Sequence, residues 1–123
     1  HDISIPIEKI PLFLVEARKS LADFRKNNIL IFGHLAEGNL HYNISKPKTM
    51  PMSVFNKLHK KVNSNIFNLV HDLGGSFSAE HGVGLIKKKE FKKYTSNEEF
   101  LIKYNLKKLL DPNNIMNPGK IFN

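Results

Sequence analysis

The sequence predicts an α+β fold: ferredoxin-like β-α-β repeats forming an antiparallel sheet with helices packed on one face. Two short segments, DISIPI at 2–7 and GNLHYNI at 38–44, alternate apolar and polar residues with the period of two that a half-buried strand requires. Two long segments, 9–26 and 53–73, instead place apolar residues at helical spacing. Their order along the chain is β-α-β, then β-α-β, then a helix and an irregular tail, which is the rhythm of an α+β sandwich. The length of 123 residues fits one domain or a piece of one.

In the first segment Ile3, Ile5 and Ile7 alternate with Asp2, Ser4 and Pro6, and Pro6 places the strand at an edge or near its end. In 9–26, Phe13, Ala17, Leu21 and Phe24 form the apolar face, Pro11 suits the first turn, and Asn27-Asn28 ends the helix. ILIF at 29–32 reads as a short buried strand. It turns through GHLAEG into 38–44, where Leu40, Tyr42 and Ile44 face one way and Asn39, His41 and Asn43 the other. After the loop KPKTMPM, the helix of 53–73 carries Val54, Leu58, Val62, Ile66, Leu69 and Leu73 in one stripe; Ser53 is its expected N-cap and Gly74 its stop. SFSAEHGVG is expected to be a strand entering a glycine-rich turn. A last helix starts at Asn97 and stops at Asp111-Pro112.

Composition narrows the chemistry. There is no cysteine, so disulfides, thiolate metal sites and cysteine nucleophiles are excluded, and a metal site must use His, Asp or Glu. No apolar run approaches the roughly 20 residues that span a bilayer. The opening HDISIPIEKIP has no basic or apolar leader pattern, so a cytoplasmic location is expected, peripheral at a membrane at most. The net charge is +8, densest at KKKEFKK, 87–93. Without interleaved aromatics this reads as a solvated lysine-rich face and not as a nucleic-acid surface.

Six histidines are present. His1 opens the chain, and His59 and His71 read as surface or boundary residues of the long helix. His34 enters a glycine-flanked turn and His41 lies on the polar face of the returning strand. If 29–34 and 38–44 pair as a hairpin, both imidazoles can converge; two histidines and a carboxylate are a common set for Zn, Mn or Fe, and Glu80-His81, in a glycine-rich turn, supplies the rest. Adjacent residues point apart, so one of the Glu80-His81 pair binds a metal while the other faces a substrate. Polar turn residues with satisfied hydrogen bonds remain the alternative, because the HxxxxxxH spacing is not specific.

GHLAEGNLHYN is similar to the GHxGDGNLHxN motif of the FAD-linked oxidase C-terminal domain family. GGSFSAEHGVGLIK resembles its GGSxSAEHGxGxxK motif, DPNNIMNPGKIF its DPxxxxNPGK ending, and HDISIPIEKIPLF its HDVSVPxxxxP stretch, which opens the second half of a cap domain. The four motifs run in order along 1–123, so the whole chain is expected to be the C-terminal part of such a cap or substrate domain. The family includes D-lactate dehydrogenases, the glycolate oxidase flavoprotein subunit and D-2-hydroxyglutarate dehydrogenase, which oxidise 2-hydroxy acids to 2-oxo acids and pass a hydride to FAD.

The resemblance implies roles. His34, His41 and Glu80 match ligands of a divalent metal (Zn, Mn or Fe), His81 matches the general base beside the flavin, Asn43 a substrate contact, and Asn117 a residue near the flavin with Lys120 close by. Ala36-Glu37 departs from the family's Gly-Asp. Ala36 then lacks glycine's freedom where φ > 0 is wanted, and Glu37 reaches further than Asp, which would loosen a carboxylate that supports a ligand. A flavin-binding domain and the first half of the cap are expected to be missing, whether the chain is an expressed fragment, a split-gene product or a remnant. It is then inactive alone and either completes an enzyme with a separate flavin-domain chain or serves as an interaction subunit. Surface left uncovered by the missing half leads us to expect a homo-oligomer.

Overall fold

The computed structural model describes residues 1–22, 24 and 28–122. It is an α+β structure, and the chain divides into two compact units, His1–His81 and Gly82–Asn123.

The first unit holds a three-stranded antiparallel sheet in the order β1-β3-β2, formed by β1 (Asp2–Ser4), β2 (Ile29–Phe32) and β3 (Asn39–Ile44). Helices α1 (Ile10–Lys19) and α2 (Met52–Asp72) contact each other. Alternation places Ile3, Leu40 and Tyr42 in the core, where Phe13 of α1 meets Tyr42 edge to face at 5.7 Å. Ala17, Leu21, Val62, Ile66 and Val70 are buried as well. Burial pushes the Tyr42 hydroxyl above its ordinary pKa, and the charge of Arg18 opposes that only in part.

Several elements differ from their sequence signatures. α1 is shorter than 9–26: a 3-10 turn, Ile7–Lys9, precedes it, and Pro11 sits in its first turn as expected. The expected stop at Asn27 lies outside the described residues. β2 is not buried: it is an edge strand of the sheet, and Leu30, Ile31 and Phe32 are 63%, 41% and 52% exposed. α2 begins after Pro51 with no side-chain cap, so Ser53 lies inside it; Gly74, at φ 77°, follows its end as expected. The buried stripe of α2 is Val62, Ile66, Phe67 and Val70, while Val54 is exposed.

SFSAEHGVG does not make a fourth strand. It pairs with β1 only at Ser76, whose N–H and C=O bond Ser4 at 2.9 and 3.0 Å. At Gly75 a Cβ would stand 2.2 Å from the Ser4 carbonyl oxygen, so this close approach needs glycine.

The second unit contains α3 (Lys88–Tyr94) and α4 (Asn97–Leu110). The lysine cluster therefore folds as a short helix that charge patterning did not reveal, anchored by buried Phe91. Phe91, Phe100 and Phe122 meet pairwise at 5.6–5.8 Å between ring centroids. Ser96 caps α4, its side chain accepting from the Glu99 N–H at 3.1 Å. Asp111 ends α4 and organises the tail. Its buried carboxylate accepts from Lys107 Nζ and from the N–H groups of Ile115 and Met116, at 2.9 and 3.0 Å. Among the described residues no helix is long and apolar enough to cross a membrane.

Candidate active site

The site is built on the β2–β3 hairpin. β3 is the central strand, so His41 stands opposite Asp2 of β1 and Phe32 of β2, and the three side chains share one face of the sheet. Asn39 and Asn43 are on that face by alternation. His34 begins the turn, and its carbonyl accepts the N–H of Glu37 at 3.0 Å and of Asn39 at 3.2 Å. Gly38 carries the left-handed conformation, φ 73°, and a Cβ there would stand 2.2 Å from the Ile5 carbonyl oxygen. Ala36 lies in a 3-10 turn, Leu35–Glu37, and has no positive φ, so its departure from glycine strains nothing.

His34 and His41 converge on Glu80. His34 Nε2 lies 3.6 Å from Glu80 Oε1, and His41 Nε2 lies 3.6 Å from Glu80 Oε2. Each imidazole thus faces one oxygen of the same carboxylate, and two histidines with a carboxylate are donor types that a divalent cation takes. Asn39 Nδ2 bridges Glu37 Oε2, at 3.4 Å, and Glu80 Oε1, at 3.5 Å, so the longer Glu37 side chain still reaches the group that positions Glu80. His81 stacks on His41, with ring centroids 5.3 Å apart and planes inclined by 23°.

Among the described residues, the group whose three ligand-type atoms lie within 4.8 Å of one another is Asp2, His41 and His81. We favour Glu80 over Asp2 as the carboxylate for a cation. The Asp2 carboxylate already accepts from the Ser78 hydroxyl at 3.3 Å and from the N–H groups of Ala79, Glu80 and His81 at 3.2, 3.0 and 3.1 Å. Asp2 is the functional candidate that sequence reasoning missed. Alternation with Ile3 and Ile5 reads it as a polar outward residue, yet it is 5% exposed. The signal available was indirect: a turn as rich in unpaired amides as SAEHG needs an acceptor.

Of the other expected site residues, Asn43 is exposed on β3, beside His41 on the same face. Asn117 and Lys120 belong to the second unit. Asn117 adopts φ 47° and its carbonyl accepts the Lys120 N–H at 3.1 Å, while Lys120 lines a shallow pocket with Tyr104, Lys108, Asn114 and Phe122.

Residues 1–121 match the family model of FAD linked oxidases, C-terminal domain. The chain belongs to this family. It is 41% identical over 123 residues to a D-2-hydroxyglutarate dehydrogenase of Stutzerimonas stutzeri (strain A1501), covering 99% of the chain and 26% of that protein. It is 36% identical over 123 residues to a D-2-hydroxyglutarate dehydrogenase of Xanthomonas citri pv. viticola, with the same coverage of 99% and 26%. The mitochondrial D-2-hydroxyglutarate dehydrogenase of Arabidopsis thaliana is 36% identical over 121 residues, 98% of this chain and 20% of that protein. This member of the family thus spans about a quarter of the length of its bacterial relatives. The family is FAD-linked, and the motif-by-motif resemblance is matched by similarity along the whole chain.

Proposed function

We propose that the chain is the C-terminal part of an FAD-dependent 2-hydroxy-acid dehydrogenase and supplies the metal ligands and the general base of its active site. The observation that carries this reading is the placement of His34 and His41, each 3.6 Å from a different oxygen of Glu80. The names of the relatives make D-2-hydroxyglutarate the first substrate to try.

In this reading His34, His41 and Glu80 would hold a divalent cation such as Zn, Mn or Fe. A bound cation acts as a Lewis acid that lowers the pKa of a substrate 2-hydroxyl. His81 takes the hydroxyl proton as hydride leaves the 2-carbon. Its Nδ1 lies 3.9 Å from the Asp2 carboxylate. Asn43 offers its amide to the substrate. FAD, when bound, would supply the hydride acceptor, and Asn117 and Lys120 are the residues that the family resemblance assigns to its neighbourhood.

Calorimetry with Zn²⁺ and Mn²⁺ on the wild type and on His41→Ala tests the metal assignment. The wild type should give a saturable heat and His41→Ala should lose it; identical heats for the two would remove the assignment. The exposed edge strand β2 favours a second reading, an interaction subunit that pairs with a separate flavin-domain chain or with its own copy. Light scattering after size exclusion tests self-association: a clean monomer at high concentration rejects it. Flavin absorbance in a co-purified complex tests the separate chain.

A further inference from the structure

We propose that Asp2 is a positioning residue of this site: its carboxylate sets the conformation of the 78–81 loop, and so fixes where Glu80 and His81 stand. The proposal extends the reading above and rests on it only for the role of the residues positioned.

Three successive backbone N–H groups, from Ala79, Glu80 and His81, converge on the two Asp2 oxygens at 3.0–3.2 Å, and the Ser78 hydroxyl adds a fourth bond at 3.3 Å. Consecutive amides that turn inward form an anion-binding concavity, and here the anion is a side chain of the same molecule. Such charge-assisted bonds are about twice as strong as neutral ones. Burying a carboxylate is unfavourable unless it is hydrogen-bonded, and Asp2 meets that condition through this loop.

The backbone of 77–81 has no ladder to hold it, since pairing with β1 ends at Ser76. The Asp2 carboxylate replaces that ladder. The β1–β3 register sets it opposite His41, so one group aligns the loop with the strand that carries a candidate ligand. With the loop so held, Glu80 reaches both histidines, and His81 lies against the His41 ring. Asn at position 2 has nearly the same shape but only one acceptor oxygen, and its NH₂ would confront N–H donors.

The test uses Asp2→Asn, Asp2→Glu and Ser78→Ala in the full chain, read by amide hydrogen exchange without metal and by Zn²⁺ calorimetry. Asp2→Asn should speed exchange at Ala79, Glu80 and His81 by roughly tenfold or more, with Ile66 and Val70 unchanged, because the loss is of local hydrogen bonds to a charged acceptor. Zn²⁺ affinity should fall by about 10–100-fold, as for other groups that orient metal ligands. Asp2→Glu keeps the charge and should recover part of the loop protection, which also covers the case in which Asp2→Asn fails to fold. Ser78→Ala removes one of four donors and should change little. Unchanged exchange at 79–81 in Asp2→Asn, or uniformly faster exchange that includes Ile66 and Val70, would overturn the proposal. So would unaltered Zn²⁺ affinity with a loosened loop. If the wild type binds no Zn²⁺, the metal reading fails by itself and the exchange pattern alone decides the role of Asp2.

Discussion

Asp111 and Asp2 are both buried carboxylates, each closing a loop through backbone N–H groups. The bond from Lys107 holds the Asp111 carboxyl below its ordinary 3.8; burial opposes this, and the Ile115 and Met116 N–H groups reinforce it. The unfolded chain therefore takes up this proton at higher pH than the folded one. The stabilisation is complete above the ordinary carboxylate range and is lost as pH falls through and below it. Asp111→Asn should remove that component, so that tail and α4 signals followed by NMR between pH 6 and 2.5 lose their acid dependence. An unchanged profile would show that Asp111 is not the group responsible. At this scale the sequence was legible where partners are close. The His34–His41 pair could be read from hairpin spacing, but the Asp2 partners lie 76–79 residues away and alternation misassigned its burial.

At the scale of elements, period-two and helical patterns located β1, β3, α2 and α4, and in β3 and α2 the pattern reports the burial of one face. For β2 they gave the strand, Ile29–Phe32, but not its exposure, and they failed for SFSAEHGVG, whose glycines and side-chain-bonded amides leave a single bridge. α3 escaped notice because charge surrounds its one buried residue, Phe91. Two substitutions measure these elements. Ile66 is fully buried on α2, and Ile66→Ala should lower unfolding stability by about 2–5 kcal/mol in urea. Gly38→Ala forces a Cβ to within 2.2 Å of the Ile5 carbonyl oxygen at φ 73°, so the β2–β3 turn must shift. Its amide resonances around His34 and His41 should move more than those of α4; a spectrum unchanged at the hairpin would contradict this.

For the whole molecule, the legible quantities were class and family; the division into two units was not, since no linker composition marks the boundary near 81–82. The +8 charge is spread through both units and has no aromatic surface interleaved with it. If a cation binds the folded form only, mass action stabilises the chain by about 2.7 kcal/mol at a free concentration of 100 Kd. Thermal unfolding with excess Zn²⁺ should then shift upward in the wild type and not in Glu80→Gln. An equal shift in both would place the ion elsewhere.

The Asp2 contacts also join the two ends of the first unit. The strand that carries the carboxylate and the loop that needs it are separated by nearly the whole first unit, 79 residues from Asp2 to His81. Closing so long a loop carries an entropy cost that local hairpins and helices avoid. The β2–β3 hairpin and α2 therefore have no need of this closure to form, whereas the segment bearing Glu80 and His81 takes its shape only when the distant ends of the unit meet. The loop that bears Glu80 and His81 therefore takes its place by the longest closure in the first unit described above, and depends on the strand at the other end of that unit.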